Sequence, residues 1–559
     1  MEDAGAPEAK RPKLDAERPV VRPSLLSEGS RAELKASYSK AQPYPHVVLR
    51  DVCDPDCLRA VREEIINNVE ATYKETDLFK MFQTGDLANM DKLDPESKSK
   101  LPNLLALRDA LYSKDFRAFV SEVTGCGDLS EKTDCACNVH AQGGHLLCHD
   151  DVIGDRRVSF IIYLTDPDLG WTTEDGGALE LYPNSPDEKH VPDVLPTTTH
   201  LPLWNCMGIF MVQPGFSFHS IQEVFTADKP RMSIQGWFHS TSPPENAALA
   251  TATQLQLKPG EDVVHSFLPF LGGEPGGELS EGDKEALLQW VNPAYLDPKS
   301  WTHIQAKFRE DGSIQLHGFL KRDKAEAVLK AALAADDVEE LGRRRRPAYA
   351  AGIGGGWRAV GPAHKQRYLR YEGGKVAADG SGDKGQAGAL MAQIRDQLFS
   401  TGAFARLVKK LTDIGLLGHQ AEVRRFRPGL DYTVAHYGLL TKDPQLDAVL
   451  CFVDDRGEED KTNWGDGEVG GFEAYLLADE SSTVEAAEAY RSVDDDETGV
   501  LNVSAAFNSL NLVLRDEGLM KFVKYLSAQA PSSRWDISMT FQPEDDEDEE
   551  QPSKGAAKA

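Results

Sequence analysis

A single histidine with a carboxylate two residues later constrains the fold of this chain more than any other feature. Of the 14 histidines, only His149 has an acidic residue two positions after it, Asp151. Side chains two residues apart on a strand lie on the same face. His219 and Arg231 follow at the ends of later segments with strand character. For these side chains to meet, the strands that carry them must enclose a common interior, as in a barrel.

Two histidines and one carboxylate on one side of an Fe(II) ion are the ligand set of non-haem iron oxygenases. The sequence therefore predicts His149, Asp151 and His219 as metal ligands and catalytic residues, with three coordination positions left for a cosubstrate and dioxygen. Arg231 can hold the far carboxylate of 2-oxoglutarate with two parallel hydrogen bonds, which a lysine cannot supply. Tyr163 lies on the predicted strand after the iron pair, and its hydroxyl can donate to the same carboxylate.

The net charge of the chain limits the classes of partner. The formal net charge of −29 argues against a nucleic-acid-binding surface and favours a basic protein substrate, although acidity also maintains solubility.

No apolar run is long enough for a membrane span, and the N-terminus lacks the apolar core of a signal peptide, so we expect the chain to stay inside the cell. The eight cysteines are scattered and are expected to be reduced thiols. A zinc site at Cys126, Cys135, Cys137 and His140 is the less favoured alternative.

The first half of the chain predicts a catalytic jelly roll over residues 36–245. Asp54 and Pro55 are typical of a helix start, and a second helix is predicted from Leu104 to Val123. Short apolar segments separated by Gly and Pro then predict the strands of a β sandwich or jelly roll, at 158–164, 178–182 and 208–212.

Other segments are predicted from composition. Residues 1–35 are polar and Pro-rich, which predicts a disordered arm, and a basic run at 10–13 resembles a nuclear localisation signal. Residues 246–394 are predicted to form a helical connector with a Gly-rich linker. It includes a capping box at Ser280 and Asp283 and an exposed helix from Asp323 to Leu341. Residues 543–559 predict an acidic, disordered tail.

The second half is a weak repeat of the first and predicts a second jelly roll over residues 395–542. Gly470 to Tyr475 is similar to Gly176 to Tyr182, and Arg534 is similar to Arg231. Phe507 to Leu510 is similar to Phe218 to Ile221, which places Asn508 where the distal histidine belongs. The candidate for the proximal histidine, His436, has Gly438 in the carboxylate position. The fold is therefore predicted as mainly β with flanking helices, in two tandem double-stranded β-helix domains of which only the first is catalytic. The second is expected to bind no iron and to serve in scaffolding or substrate capture.

The motifs resemble those of the eukaryotic ribosomal prolyl 3-hydroxylases. In the first half the similar segments are 149–151, 157–164, 176–177, 217–219, 231 and 233–239. In the second half they are 361–362, 470–472, 508–515 and 521–524. The resemblance covers about residues 40 to 542 in order, whereas other prolyl and lysyl hydroxylases share only the iron ligands.

The resemblance implies an Fe(II)- and 2-oxoglutarate-dependent dioxygenase that hydroxylates C3 of a proline, with dioxygen as cosubstrate and ascorbate as a reductant. It implies as substrate the basic ribosomal protein of the small-subunit decoding centre, an effect on translation accuracy or termination, and a location in nucleus and cytoplasm. Direct nucleic-acid or membrane binding is not expected. Two alternatives stay open: a 2-oxoglutarate oxygenase of another substrate class, such as a demethylase or small-molecule hydroxylase, and a non-catalytic adaptor.

Overall fold

The computed structural model describes residues 19–244, 267–273, 275–343, 345–373, 382–436, 439, 443–477 and 501–544. The chain divides into two compact units, Met1–Thr251 and Ala252–Ala559. The basic run at 10–13 and the tail after Glu544 lie outside the described residues, so disorder and nuclear targeting stay predictions there.

Helices open the first unit. They are α1 (Glu28–Lys40), α2 (Pro55–Asn68), α3 (Pro95–Ser99), α4 (Pro102–Leu111) and α5 (Lys114–Thr124), with 3-10 turns at Pro23–Leu26, Leu87–Lys92 and Thr173–Asp175.

Two predictions about these helices need correction. A disordered arm up to residue 35 is wrong for residues 19–35, because α1 starts at Glu28, and the Tyr38 hydroxyl at its far end accepts a hydrogen bond from the Met211 amide. A single helix from Leu104 to Val123 is also wrong. The Ser113 hydroxyl accepts from the Phe116 amide and starts a new helix, which a continuous apolar pattern conceals.

The strands of the first unit form one antiparallel sheet. They are β1 (His46–Leu49), β2 (Thr72–Glu75), β3 (Phe79–Gln83), β4 (Asp134–His140), β5 (His145–His149), β6 (Arg156–Tyr163), β7 (Leu179–Leu181), β8 (Thr198–His200), β9 (Met207–Met211), β10 (His219–Ile221) and β11 (Arg231–His239). The sheet order is β1-β9-β6-β11-β4-β3-β5-β10-β7-β8, with β2 paired to β3. The three predicted strands are confirmed as β6, β7 and β9, with ends that differ by one or two residues.

This sheet curls until strands far apart in its order touch. The Phe210 ring on β9 lies 4.7 Å from the His219 ring on β10. Arg231 on β11 donates to the carbonyl of Gly177, which precedes β7. Side chains of β6 alternate between the two layers, with Phe160 packed toward the helices and Tyr163 toward the barrel interior. The jelly-roll fold predicted for this half is confirmed.

The helices of the second unit are α6 (Glu281–Leu287), α7 (Pro298–Asp311), α8 (Arg322–Val338), α9 (Gly382–Ile394), α10 (Gly402–Thr412) and α11 (Glu458–Gly465). A 3-10 turn spans Pro293–Leu296 and a π-helical turn spans Arg395–Phe399. The capping box of Ser280 and Asp283 is confirmed. The prediction of an exposed helix after Asp323 is wrong about exposure, because Val328, Ala332 and Asp336 of α8 are buried. In the described residues no helix is long and apolar enough to cross a membrane.

The strands of the second unit are β12 (Ser313–His317), β13 (Trp357–Val360), β14 (Gln366–Tyr371), β15 (Leu416–Phe426), β16 (Tyr432–Thr433), β17 (Gln445–Phe452), β18 (Glu473–Leu477), β19 (Leu501–Val503), β20 (Ser509–Arg515), β21 (Leu519–Val523) and β22 (Arg534–Pro543). An eight-stranded sheet has the order β12-β20-β17-β22-β15-β14-β13, with β16 on β14, and a three-stranded sheet has the order β19-β18-β21. The connector and linker prediction for 246–394 is therefore wrong for β12, β13 and β14, which belong to the larger sheet. That this unit is a second jelly roll stays a prediction.

The repeat between the halves is present, but one part of its predicted alignment is wrong. Arg534 donates to the Gly471 carbonyl, as Arg231 donates to that of Gly177. Asn508, however, precedes β20, which pairs with the central strand β17, and its amide bonds to the backbone of Leu320. The strand beside β18 is β21, and there Lys521 lies opposite Tyr475.

In the first unit His219 lies opposite Leu181, four residues after Gly177. Tyr475 is likewise four residues after Gly471, so Lys521 and not Asn508 takes the place of the distal histidine. The sequence comparison missed this because the two strands have unrelated side chains and only their pairing register identifies them.

All eight cysteines are buried and free, as expected for reduced thiols. Cys126, Cys135, Cys137 and His140 do not come together as a ligand group in the described residues. The less favoured zinc alternative therefore has no support from the geometry.

We expect Asp54→Ala to destabilise the first unit by about 1 kcal/mol, because the Asp54 carboxylate accepts from two amides at the start of α2, whose Leu58 and Val61 are in the core. Hydrogen exchange of the α2 amides measures the loss. Asp94→Ala is the matched control, since Asp94 caps α3, a helix with no buried residue, in the same way. Equal protection of α2 in wild type and Asp54→Ala would contradict the expected role of the cap.

Candidate metal centre and cosubstrate pocket

The structure brings His149, Asp151 and His219 together inside the first barrel. One potential ligand atom from each lies within 4.8 Å of the others, and in the described residues this is the only such group of three or more His, Cys, Asp or Glu side chains. The Nε2 atoms of His149 and His219 lie 3.2 and 3.4 Å from the two oxygens of Asp151. The two histidines face each other across the β10–β5 pair.

The backbone that positions Asp151 differs from the extended strand assumed in the sequence analysis. Strand β5 ends at His149, and Asp151 has a φ of +63°, in the left-handed region. Non-glycine residues adopt this conformation at an energetic cost and are concentrated at functional sites. A turn after the strand therefore returns the carboxylate toward the imidazole.

Each histidine is fixed by its own backbone neighbours. The Nδ1 of His149 bonds to the carbonyl of Leu147 at 2.8 Å, and the Nδ1 of His219 bonds to that of Ser217 at 2.9 Å. Because a carbonyl only accepts, each Nδ1 carries the proton and each Nε2 offers its lone pair to the centre. Asp150 faces elsewhere, since its carboxylate accepts from the Gly215 amide.

The charges of the group suit a divalent cation. Burial opposes ionisation of Asp151, but the facing His219 and His149 hold its pKa well below the ordinary value, so the carboxylate is charged. Burial lowers the pKa of His149, while Asp151 and the Leu147 carbonyl raise it, and the net direction is upward. Asp151 Oδ2 and His219 Nε2 are buried without a hydrogen-bond partner, which is costly for groups that no ligand satisfies. The donor set therefore fits Fe(II).

Arg231 on β11 is the residue of this barrel that is predicted to hold the cosubstrate. Its guanidinium is fully buried, with Nε bonded to the Gly177 carbonyl at 2.7 Å and Nη1 to the Ser233 hydroxyl at 3.3 Å. Nη2 has no hydrogen-bond partner, and among the described residues no carboxylate pairs with this cation. Burial accordingly lowers the pKa of Arg231. An isolated buried cation is unfavourable, so the pocket calls for an anionic ligand.

Tyr163 completes the pocket. Its hydroxyl is buried without a hydrogen-bond partner, and the Arg231 guanidinium lies 5.2 Å from its ring centroid. Burial raises the pKa of Tyr163, so the phenol stays protonated and can donate. The residues present fit the far carboxylate of 2-oxoglutarate, with Arg231 and Tyr163 as donors.

The sequence analysis used Gly177 in a strand boundary and in the family resemblance, but missed its contact with Arg231. Its φ is +66°, and a Cβ there would lie 2.9 Å from Arg231 Cδ. The doubled glycine was the available signal, because it marks a position where backbone and side chain must approach closely. The nearby His140, His145 and Cys148 are buried and lie outside the ligand group.

The barrel and its ligand group define an iron- and 2-oxoglutarate-dependent oxygenase. Residues 135–239 match the model of the 2OG-Fe(II) oxygenase superfamily, and residues 282–550 match the model of the oxoglutarate and iron-dependent oxygenase degradation C-terminal domain.

Individual relatives show to which family within this superfamily the chain belongs. A prolyl 3,4-dihydroxylase OGFOD1 of Ostreococcus tauri is 39% identical over 507 residues, with 89% of this chain and 94% of that protein covered. The prolyl 3-hydroxylase sudestada1 of Drosophila melanogaster is 28% identical, with 90% and 84% covered. A solved prolyl-4-hydroxylase of Pseudomonas putida is 18% identical over 37% of this chain and 100% of its own, at a TM-score of 0.29. The chain belongs to the OGFOD1 family of 2-oxoglutarate-dependent prolyl hydroxylases, and the resemblance found in the sequence is confirmed.

We expect Asp151→Ala to weaken Fe(II) binding by at least about 100-fold and to abolish turnover, because a three-ligand site has no donor to spare. Anaerobic titration with Mn(II), a redox-stable substitute, measures binding, and succinate release measures turnover. His436→Ala in the second unit is the control and should leave both unchanged. Wild-type turnover by Asp151→Ala would exclude the assigned metal site.

Arg231→Lys should raise the KM for 2-oxoglutarate about tenfold to a hundredfold, since lysine keeps the charge but loses the planar donor fork. Mn(II) affinity should not change. Succinate release against cosubstrate concentration gives the KM, and an unchanged value would remove Arg231 from the pocket.

We also expect Gly177→Ala to raise the KM for 2-oxoglutarate, because the added Cβ displaces the Arg231 side chain. Gly170→Ala is the matched control. Gly170 has a similar φ of +69°, but a Cβ there would meet nothing within 4 Å, so it reproduces the backbone strain without the displacement. An equal effect of both substitutions would assign the change to strain alone.

Proposed function

We propose that this chain hydroxylates C3 of a proline in the basic ribosomal protein of the small-subunit decoding centre. The observation that carries prolyl hydroxylation is the similarity to the prolyl 3,4-dihydroxylase of Ostreococcus tauri over 89% of this chain and 94% of that protein. The net charge of −29 supports a basic protein substrate through long-range attraction. Location in nucleus and cytoplasm is part of the same proposal.

In this proposal His149, Asp151 and His219 are the metal ligands, and Arg231 and Tyr163 hold the cosubstrate. Iron and 2-oxoglutarate, when bound, supply the oxidising chemistry that breaks an unreactive C–H bond. The chain supplies position: the carbonyls of Leu147 and Ser217 orient the imidazoles, and the buried guanidinium orients the cosubstrate. Because the chain offers three ligands, an ion held by them would keep room for the cosubstrate and dioxygen.

Two other functions are compatible with the same metal ligands or the same fold. A demethylase or small-molecule hydroxylase would use the same ligands, since the iron group does not encode the substrate. A non-catalytic adaptor is disfavoured by the geometry, because His219, Asp151, Arg231 and Tyr163 keep unpaired polar atoms aimed at one interior.

The test is to load the full-length protein anaerobically with Fe(II) and 2-oxoglutarate, then admit oxygen with ascorbate and a peptide of the decoding-centre ribosomal protein. We expect a mass gain of one oxygen atom on one proline for each succinate released, and a second gain if the chain adds two hydroxyls. Amino-acid analysis of the product should give 3-hydroxyproline. A peptide with that proline replaced by alanine is the control.

The outcomes separate the alternatives. Succinate without a modified peptide would keep the oxygenase and reject the substrate. A loss of mass from a methylated peptide would indicate a demethylase. Neither succinate nor product, in a protein that binds Mn(II), would favour the adaptor.

A further inference from the structure

The second unit carries an ionic cluster where the first carries its iron group. The matched registers place Lys521 at the position of His219 and Arg534 at that of Arg231. Thr433 and Leu146 occupy equivalent registers, because Thr433 lies opposite Gln366 on β14 and Leu146 lies opposite Phe79 on β3. His436 comes three residues after Thr433, and His149 comes three residues after Leu146. His436 therefore takes the position of His149. The interior has therefore changed its chemistry while keeping its geometry.

An ammonium group replaces the metal. Lys521 Nζ lies 3.2 Å from Glu473 and 3.6 Å from Asp447, two carboxylates that are fully or almost fully buried. Burial opposes ionisation of Glu473, but Lys521 and two arginines hold its pKa below the ordinary value. Lys521 thus supplies the positive charge that a metal ion bound by His149, Asp151 and His219 would supply in the first unit.

The counterpart of the cosubstrate anchor is already neutralised. Arg534 lies 3.0 Å from Asp536 and 3.5 Å from Glu473. Arg231 in the first unit has no such partner among the described residues. The second interior therefore lacks a free arginine for 2-oxoglutarate at this place.

A cavity of about 700 Å³ nevertheless opens over the cluster, within the size range of ligand pockets. Among the described residues, five cationic side chains and two carboxylates line it. The cations are Lys365, Arg370, Arg424, Arg515 and Lys521, and the carboxylates are Glu422 and Asp447. The cations outnumber the carboxylates in this lining, while Glu473, Asp536 and Glu372 outside it pair with Lys521, Arg424 and Arg370 in turn.

The floor and wall of the cavity offer hydrogen bonds as well as charge. Arg515 Nε is buried without a hydrogen-bond partner, although it lies 3.2 Å from Asp447. Gln420, Ser538 and Thr540 add neutral polar groups to the wall. Burial lowers the pKa of His436 to about 4, so its imidazole adds no charge at neutral pH.

The two lining carboxylates decide between classes of anion. Asp447 and Glu422 would repel the double charge concentrated on one phosphate group, whereas each carboxylate group of a ligand carries a single charge and matches the planar fork of arginine. We propose that this cavity of the second unit binds a carboxylate-bearing ligand, held by Arg370, Arg515 and Lys521.

Calorimetric titration of the full-length protein tests the proposal, with the first unit saturated by Mn(II) and 2-oxoglutarate under nitrogen. The probes are citrate, a hexaglutamate peptide and inorganic phosphate. We expect citrate or hexaglutamate to bind, and Arg370→Gln to weaken that binding about tenfold by removing a charged donor. Arg370 is partly exposed, so its loss leaves the buried cluster intact.

A second pair of variants tests the same site without removing a cationic side chain. Ser538→Glu places a carboxylate in the wall of the cavity and should weaken binding, while Ser538→Gln, of the same size and neutral, should not. Arg358→Gln is the control for Arg370→Gln, because Arg358 lies on β13 outside the cavity and is more exposed.

Preferential binding of citrate would identify a small polycarboxylate as the source of the carboxylate, and preferential binding of hexaglutamate an acidic protein segment; either supports the site. Three results would overturn it: no binding of either probe, binding unaffected by Arg370→Gln and Ser538→Glu, or phosphate binding as tight as that of the carboxylates.

Discussion

The contact between a buried arginine and a glycine carbonyl organises the first unit. Arg231 on β11 reaches Gly177, and this bond joins strands that lie far apart in the sheet order. It closes the curled sheet and also fixes the direction of the remaining guanidinium nitrogen. A similar bond joins Arg534 to the Gly471 carbonyl in the second unit, although there the guanidinium is also paired with Asp536 and Glu473.

Much of the site could be predicted because its chemistry needs rare combinations of residues. A His-x-Asp pair, a later histidine and a later arginine suffice to name His149, Asp151, His219 and Arg231. The turn at Asp151 could not be predicted, since a left-handed aspartate has no reliable sequence signal. The approach of Gly177 to Arg231 also depends on the curl of the whole sheet.

The fold was predicted well where side-chain alternation is strong and less well where composition was the guide. Asp54 marked the start of α2 because its cap is a local interaction. The Gly-rich segment after Arg343 indicated a linker, yet β13 and β14 lie within it. Trp357, Leu369 and Tyr371 of these strands are buried in the core of the second unit, so long-range packing overrides the local tendency of glycine toward loops.

The two units show how one framework can keep or lose a metal centre. In the first, His219 Nε2 and Arg231 Nη2 are left without partners in a closed interior, and such groups are favourable only when ligands complete them. In the second, Glu473 and Asp536 neutralise the matching arginine, and Lys521 takes the position of the distal histidine. Internal ion pairs there satisfy the charges that iron and cosubstrate satisfy in the first unit. The proposed ligand site of the second unit therefore lies in the cavity beside these ion pairs, lined by Arg370, Arg515 and Lys521.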